Sequence, residues 1–173
     1  MFHFNVILSY INEIIFLICI IKYYEDYLLR KEVVIILSED DSGHATLIVR
    51  NLRRAGLNNK VIHFKDGQET LNFFFDKNSS PAFEKGTPYL LLLDIRMPKV
   101  NGVDVLKKLK SDSAFYKIPV IIITTADNVH EVEECYQLGC STYITKPVDY
   151  EKFIETIKQL GSFLMLNEVP VIE

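Results

Sequence analysis

The chain has 173 residues, 49% of them hydrophobic, with 19 Lys and Arg against 23 Asp and Glu and a net charge of −4. That length suits one domain with extensions, and an acidic balance without a basic–aromatic run argues against an electrostatic nucleic-acid interface. The three cysteines (Cys19, Cys135 and Cys140) lack metal-ligand spacing and read as free thiols in a reducing compartment.

Residues 1–30 form an apolar segment unlike the remainder. Phe2 to Ile21 reaches the roughly 20-residue length of a membrane span. Glu13 falls near its middle, where a carboxylate costs about 2.5–3.5 kcal/mol on insertion scales. Three readings stand side by side: a membrane anchor over residues 2–21, an extra apolar helix packed on the domain or a partner, and a start assigned upstream of the true one. Lys22, Arg30 and Lys31 follow the segment, so an anchor would leave the C-terminal domain in the cytoplasm.

Glu32–Leu37 is a β-branched run that predicts a first strand, followed at once by Glu39, Asp40 and Asp41. Adjacent acids repel, by about 4 kcal/mol for two charges ~4 Å apart at an effective dielectric near 20, unless a cation or solvent relieves them. Capping of the next helix is the simpler use for such acids. That helix spans Gly43–Ala55, with Ala45, Ile48, Leu52 and Ala55 inward, Asn51 and the arginines outward, and His44 on the surface. A second strand is expected at Val61–Phe64, then a short helix at Gln68–Phe75 with Leu71, Phe74 and Phe75 towards the sheet. Asp76–Pro88 is polar, carries Gly86 and two prolines, and reads as a loop.

The stretch Tyr89–Leu93 is an unbroken apolar run ending in Asp94, with Pro98 four residues on. It predicts a strand buried on both faces, with a carboxylate at its end. A turn through Asn101-Gly102 leads to a helix ending near Lys110, with Val103, Leu106 and Leu109 apolar. Pro119–Thr125 predicts a fourth strand, Asn128–Leu138 a helix, Thr142–Thr145 a short strand ending at Lys146-Pro147, and the last helix starts near Val148-Asp149. Five such alternations predict a doubly wound α/β domain over residues 31–160, with 161–173 as a C-terminal extension.

Parallel strands bring their carboxyl ends to one edge. Glu39, Asp40, Asp94, Thr124 and Lys146 then converge there. Hard carboxylate oxygens suit Mg²⁺, a lysine and a hydroxyl suit phosphoryl oxygens, and an aspartate can serve as nucleophile in phosphoryl transfer.

The motifs Ile35–Asp41, Leu93–Pro98 with Asn101-Gly102, Ile123–Ala126 and Tyr143–Pro147 together resemble the receiver domain of a two-component response regulator. The resemblance implies a flavodoxin-like five-stranded parallel sheet of order 2-1-3-4-5. It also implies that Asp94 accepts a phosphoryl group from a histidine kinase or phosphotransfer protein. Mg²⁺ would be held by Glu39, Asp40, Asp94 and the backbone carbonyl of Arg96. Thr124 and Lys146 would bind the phosphoryl oxygens, and Tyr143 matches the family's inward-swinging aromatic. Such a protein is a phosphoacceptor rather than an enzyme acting on other molecules, with at most self-catalysed transfer and dephosphorylation.

Asn101 stands where many members have Asp. The long Asp76–Pro88 loop is more similar to the stand-alone receivers associated with bacterial phytochromes, whose C-terminal extension pairs two copies, so a homodimer through the last helix and tail is expected. Two rivals remain: a phosphorylation-independent binding and dimerisation module, and an aspartate-nucleophile phosphatase. The latter would need an Asp where Arg96 stands.

Overall fold

Strands buried on both faces must be apolar on both; the three central runs are so, and the two edge runs are only partly covered. The computed structural model describes residues 33–165 and 169–171. Its strands are β1 (Val34–Ser38), β2 (Val61–Phe64), β3 (Tyr89–Leu93), β4 (Val120–Thr124) and β5 (Thr142–Thr145). The helices are α1 (Ser42–Arg54), α2 (Gly67–Phe75), α3 (Gly102–Lys110), α4 (Val129–Gln137) and α5 (Tyr150–Met165). All strand pairs are parallel, in the order β2-β1-β3-β4-β5. The anchor and extra-helix expectations for residues 1–30 lie outside the described residues; among the described residues no helix is long and apolar enough to cross a membrane. α5 runs to Met165, past the expected domain end at 160.

Successive side chains of a strand point to opposite faces, and here each face feeds its own core. Ile35, Leu37, Leu90, Leu92, Ile121 and Ile123 pack with Ala45, Ile48 and Leu52 of α1 and Phe153, Ile157 and Leu160 of α5. Ile36, Leu91, Leu93, Val120 and Ile122 pack on the other side with α2, α3 and Cys135 of α4. The central strands are therefore apolar without alternation.

Three expected faces differ. Asn51 is buried rather than outward; its Nδ2 donates to the Leu47 carbonyl at 2.9 Å, so its own helix satisfies it. α2 buries Phe73 and Phe74, while Leu71 and Phe75 are only partly covered. A run this rich in phenylalanine has no single stripe, and the aromatic partners choose the face. α3 buries Val105 with Leu106 and Leu109, leaving Val103 half-buried.

The 76–88 loop is anchored, not merely polar. Phe83 lies 5.1 Å from both Tyr89 and Phe115 between ring centroids, and Phe73 stacks edge-on to Phe74, Phe83 and Tyr89. Such pairs add about 0.5–1.5 kcal/mol each beyond area burial. At the far end of the chain, Val171 forms an antiparallel bridge to Pro88.

α1 and α5 approach closely. A Cβ added at Gly161 would stand 2.6 Å from the Ala55 Cβ, which explains a mid-helix glycine that otherwise costs about 1 kcal/mol against alanine. Overpacking by a methyl costs typically 1–3 kcal/mol, so the clash outweighs the propensity gain. Gly161→Ala is expected to lower stability by about 1–2 kcal/mol in urea unfolding, and adding Ala55→Gly should recover most of it. A Gly161→Ala protein more stable than its parent would contradict this packing.

Candidate functional site

The sheet's hydrogen-bond ladder runs one residue past the ends of β1, β3 and β5, and that extra rung fixes the polar residues. The Glu39 N–H donates to the Phe64 carbonyl at 3.0 Å, Asp94 N–H to Ser38 at 2.9 Å, and Lys146 N–H to Thr124 at 2.6 Å. Backbone positions of all three are thus set by rigid neighbours. Gly102 tightens the same corner: a Cβ there would meet the Asp94 carbonyl oxygen at 2.1 Å. The turn before it is clamped by Lys99, in the left-handed region at φ 64°, whose Nζ donates to buried Asp66 at 2.6 Å.

Four expected residues, Glu39, Asp40, Asp94 and Lys146, converge through their side chains. Lys146 Nζ donates to Glu39 Oε2 at 2.6 Å and to Asp94 Oδ2 at 2.5 Å, and all three side chains are at most 6% exposed. One ammonium therefore faces two buried carboxylates, with Asp40 beside them on the exposed side. Thr124 is fully buried at the end of β4. Asp41 takes the capping role instead, accepting from the His44 N–H at 2.7 Å, and this bond holds its carboxyl below the usual carboxylate range.

Charge is unbalanced at this edge. Burial pushes the Glu39 carboxyl up, against the pull of Lys146 and with the push of Asp94. Glu39 Oε1 is buried and has no hydrogen-bond partner among the described residues. Glu39, Asp40 and Asp94 can each offer an oxygen within 4.8 Å of the others. Oxygens on opposite sides of an ion bonded at about 2.1 Å stand about 4.2 Å apart, so the set needs little closing to hold a small hard dication. The donors are all oxygen, the net charge is negative and one acceptor is unsatisfied, so these residues fit Mg²⁺.

Two expected residues sit at the rim. The Arg96 N–H donates to Asp94 Oδ1 at 3.2 Å, while its guanidinium turns away to Glu131 on α4 at 3.0 Å. Tyr143 is half-buried, and burial raises its phenol to about 12, so it stays a donor; its O–H donates to the Ala126 carbonyl at 2.9 Å. The Ala126 N–H donates to Thr124 Oγ1 at 3.3 Å. Ala126 thereby joins Thr124 and Tyr143. His44, expected on the surface, is 44% exposed there, and it places Nδ1 3.5 Å from Glu39 Oε1 and its ring edge-on to Phe153. No spacing in the sequence signals that approach, which depends on how α1 leaves β1.

Asp94→Asn removes one buried charge and leaves Lys146 paired with Glu39, so the desolvation cost falls by more than the pairing lost. In chelator-treated protein at pH 7 the variant should be about 1–2 kcal/mol more stable by urea unfolding. A carboxyl raised on folding, as Glu39 is, gives stability that is full below its unfolded value of 4.5 and lost as pH rises through its folded one. The advantage of Asp94→Asn should therefore shrink towards pH 4.5, where Glu39 takes up a proton. A variant less stable at pH 7 would refute this charge accounting.

Comparison with known proteins gives a consistent result. Residues 35–158 match the response regulator receiver domain family. A receiver domain from Rhodospirillum rubrum is 45% identical and superimposes with a TM-score of 0.76 over 81% of this chain and 99% of its own. The phosphorylated cyanobacterial phytochrome response regulator RcpA is 28% identical with a TM-score of 0.73, over 81% and 99%. Response regulator Rcp1 of Synechocystis sp. is 28% identical over 130 residues, 75% of this chain and 87% of that one.

Proposed function

The chain belongs to the response regulator receiver domain family, and from that premise we propose that it is a phosphorylation switch in which Asp94 accepts a phosphoryl group from a histidine kinase or phosphotransfer protein. The observation that carries this is the buried Asp94 carboxylate held 2.5 Å from the Lys146 ammonium at the open end of a rigid sheet. An Asp94 oxygen attacks phosphorus, a P–O bond forms, and the P–N bond to the donor histidine breaks, leaving the electron pair on the imidazole. Lys146 exchanges a carboxylate for a phosphoryl oxygen, so its charge stays paired throughout. Thr124 supplies a hydroxyl to a second phosphoryl oxygen.

Glu39, Asp40, Asp94 and the Arg96 backbone carbonyl are the proposed Mg²⁺ ligands. When bound, Mg²⁺ relieves the acid repulsion and neutralises charge developing on the transferred group. The chain's own chemistry is confined to transfer onto Asp94 and hydrolysis from it.

Readout follows from the links through Ala126. Turning Thr124 Oγ1 towards Asp94 costs the bond from the Ala126 N–H, and movement of Ala126 costs the bond from Tyr143. Tyr143 is then free to move inward, and the face made by β4, α4 and β5 changes shape. The relatives described as phytochrome response regulators support a light-sensing kinase as donor. Free, buried Cys135 and Cys140 are in keeping with the cytoplasm. A homodimer through α5 and the following tail is the proposed assembly, supported by the apolar residues Leu164, Met165, Leu166, Val169, Val171 and Ile172 of that stretch of sequence.

Acetyl phosphate labelling of the full chain, read by intact mass with and without Mg²⁺, tests the switch. One phosphoryl group should be gained only with Mg²⁺, and Asp94→Asn should gain none. A folded parent that takes no label would favour the phosphorylation-independent module. Thr124→Ala is expected to accept the label yet leave Tyr143 fluorescence and its neighbours' NMR shifts unmoved on phosphorylation. Unaltered shifts in both parent and variant would sink the readout through Ala126.

A further inference from the structure

The 76–88 loop and the segment after α3 enclose a second cleft, of about 440 Å³, a size within the range of small-molecule sites. α2 and α3 end beside it, and the chain leads from it into β3 and β4. It therefore lies at the amino edge of the parallel sheet, the edge opposite Asp94. Its walls are aromatic. Phe115 stands 5.1 Å from Phe75 and from Phe83 and 5.4 Å from Phe74 between ring centroids, and all four rings line the cleft. Phe75 and Phe83 are only half-buried, so part of each ring is left for a further apolar group.

Four charged residues line the same cleft: Lys77, Lys85, Asp76 and Asp112. Each aspartate uses one oxygen locally. The Asn78 N–H donates to Asp76 Oδ1 at 2.9 Å, and the Ala114 N–H to Asp112 Oδ1 at 2.8 Å. Neither Oδ2 and neither lysine ammonium has a partner among the described residues. Cations and anions thus share one cleft without pairing to each other, which leaves both signs open to a molecule placed between them.

We propose that this cleft binds a free aromatic amino acid, with its ring among the phenylalanines, its α-carboxylate towards Lys77 and Lys85 and its α-ammonium towards Asp76 and Asp112. Ring burial and edge-to-face contacts supply most of the affinity. The exposed charges each add little, and they select instead. An aromatic acid without an amine leaves the aspartates facing its carboxylate, and an aromatic amine leaves the lysines facing its ammonium. A phenylalanine side chain within a peptide brings neither charge. The zwitterion alone answers both.

The test is titration of the full-length chain with L-phenylalanine, followed by NMR shifts and calorimetry. 3-Phenylpropionate, phenethylamine and N-acetylphenylalaninamide serve as ligands lacking the ammonium, the carboxylate or both. L-Phenylalanine should give saturable shifts at Phe83 and Phe115, and each single-charge ligand should bind about two- to fivefold more weakly. In Lys77→Gln/Lys85→Gln the preference for L-phenylalanine over phenethylamine should vanish. Ala82→Trp, which sets an indole at the wall of the cleft, should abolish binding while the remaining spectrum stays that of the folded parent. Shifts that are absent or never saturate would overturn the proposal, as would a preference unchanged by the lysine substitutions. Equal affinity for N-acetylphenylalaninamide would overturn it in favour of a docked peptide side chain.

Discussion

One ammonium shared by two buried carboxylates is the constraint on which this site depends. Lys146 cannot neutralise Glu39 and Asp94 together, and Asp40 adds a third acid at the rim. A buried unpaired charge costs several kcal/mol, so the fold tolerates this excess only because the ladder beneath holds every backbone position. The unmet charge is also what makes the edge receptive to a cation. Stability and reactivity therefore draw on the same deficit.

Rigidity below and looseness above divide the labour. The lower parts of β1, β3 and β4 are closed on both faces by apolar side chains. Above them, Thr124, Ala126 and Tyr143 are linked by single hydrogen bonds that can be exchanged at small cost. On the switch proposed above, a group arriving at Asp94 would move the segment after β4 while leaving the sheet where it is. Arg96 and its bond to Glu131 tie α4 into the same rim.

Much of this was legible in the sequence. Tyr89–Leu93 and Pro119–Thr125 could only be buried strands, and their terminal polar residues named the edge. The capping acid next to the two site acids was harder to separate, because Asp40 and Asp41 are chemically alike and only the helix start at Ser42 tells them apart. What resisted was anything set by docking rather than by local pattern. Phe73, packed against the loop residue Phe83, is buried more fully than Leu71 and Phe75, which only partly cover the same core. Asn51 could go inside because its own helix satisfies it. His44 came to the acids through the angle of α1, which no one-dimensional pattern contains.

The bond between Lys146 and Glu39 joins residues 107 positions apart in the chain, and this has a consequence for biosynthesis. Chains grow from the N-terminus at about 5–20 residues per second, so both acids leave the ribosome seconds before their counter-charge exists. Until Lys146 emerges, Glu39 and Asp94 lack the ammonium that pairs them in the folded chain. Lys146, directly after β5, is thus the last of the buried charges at this edge to be synthesised.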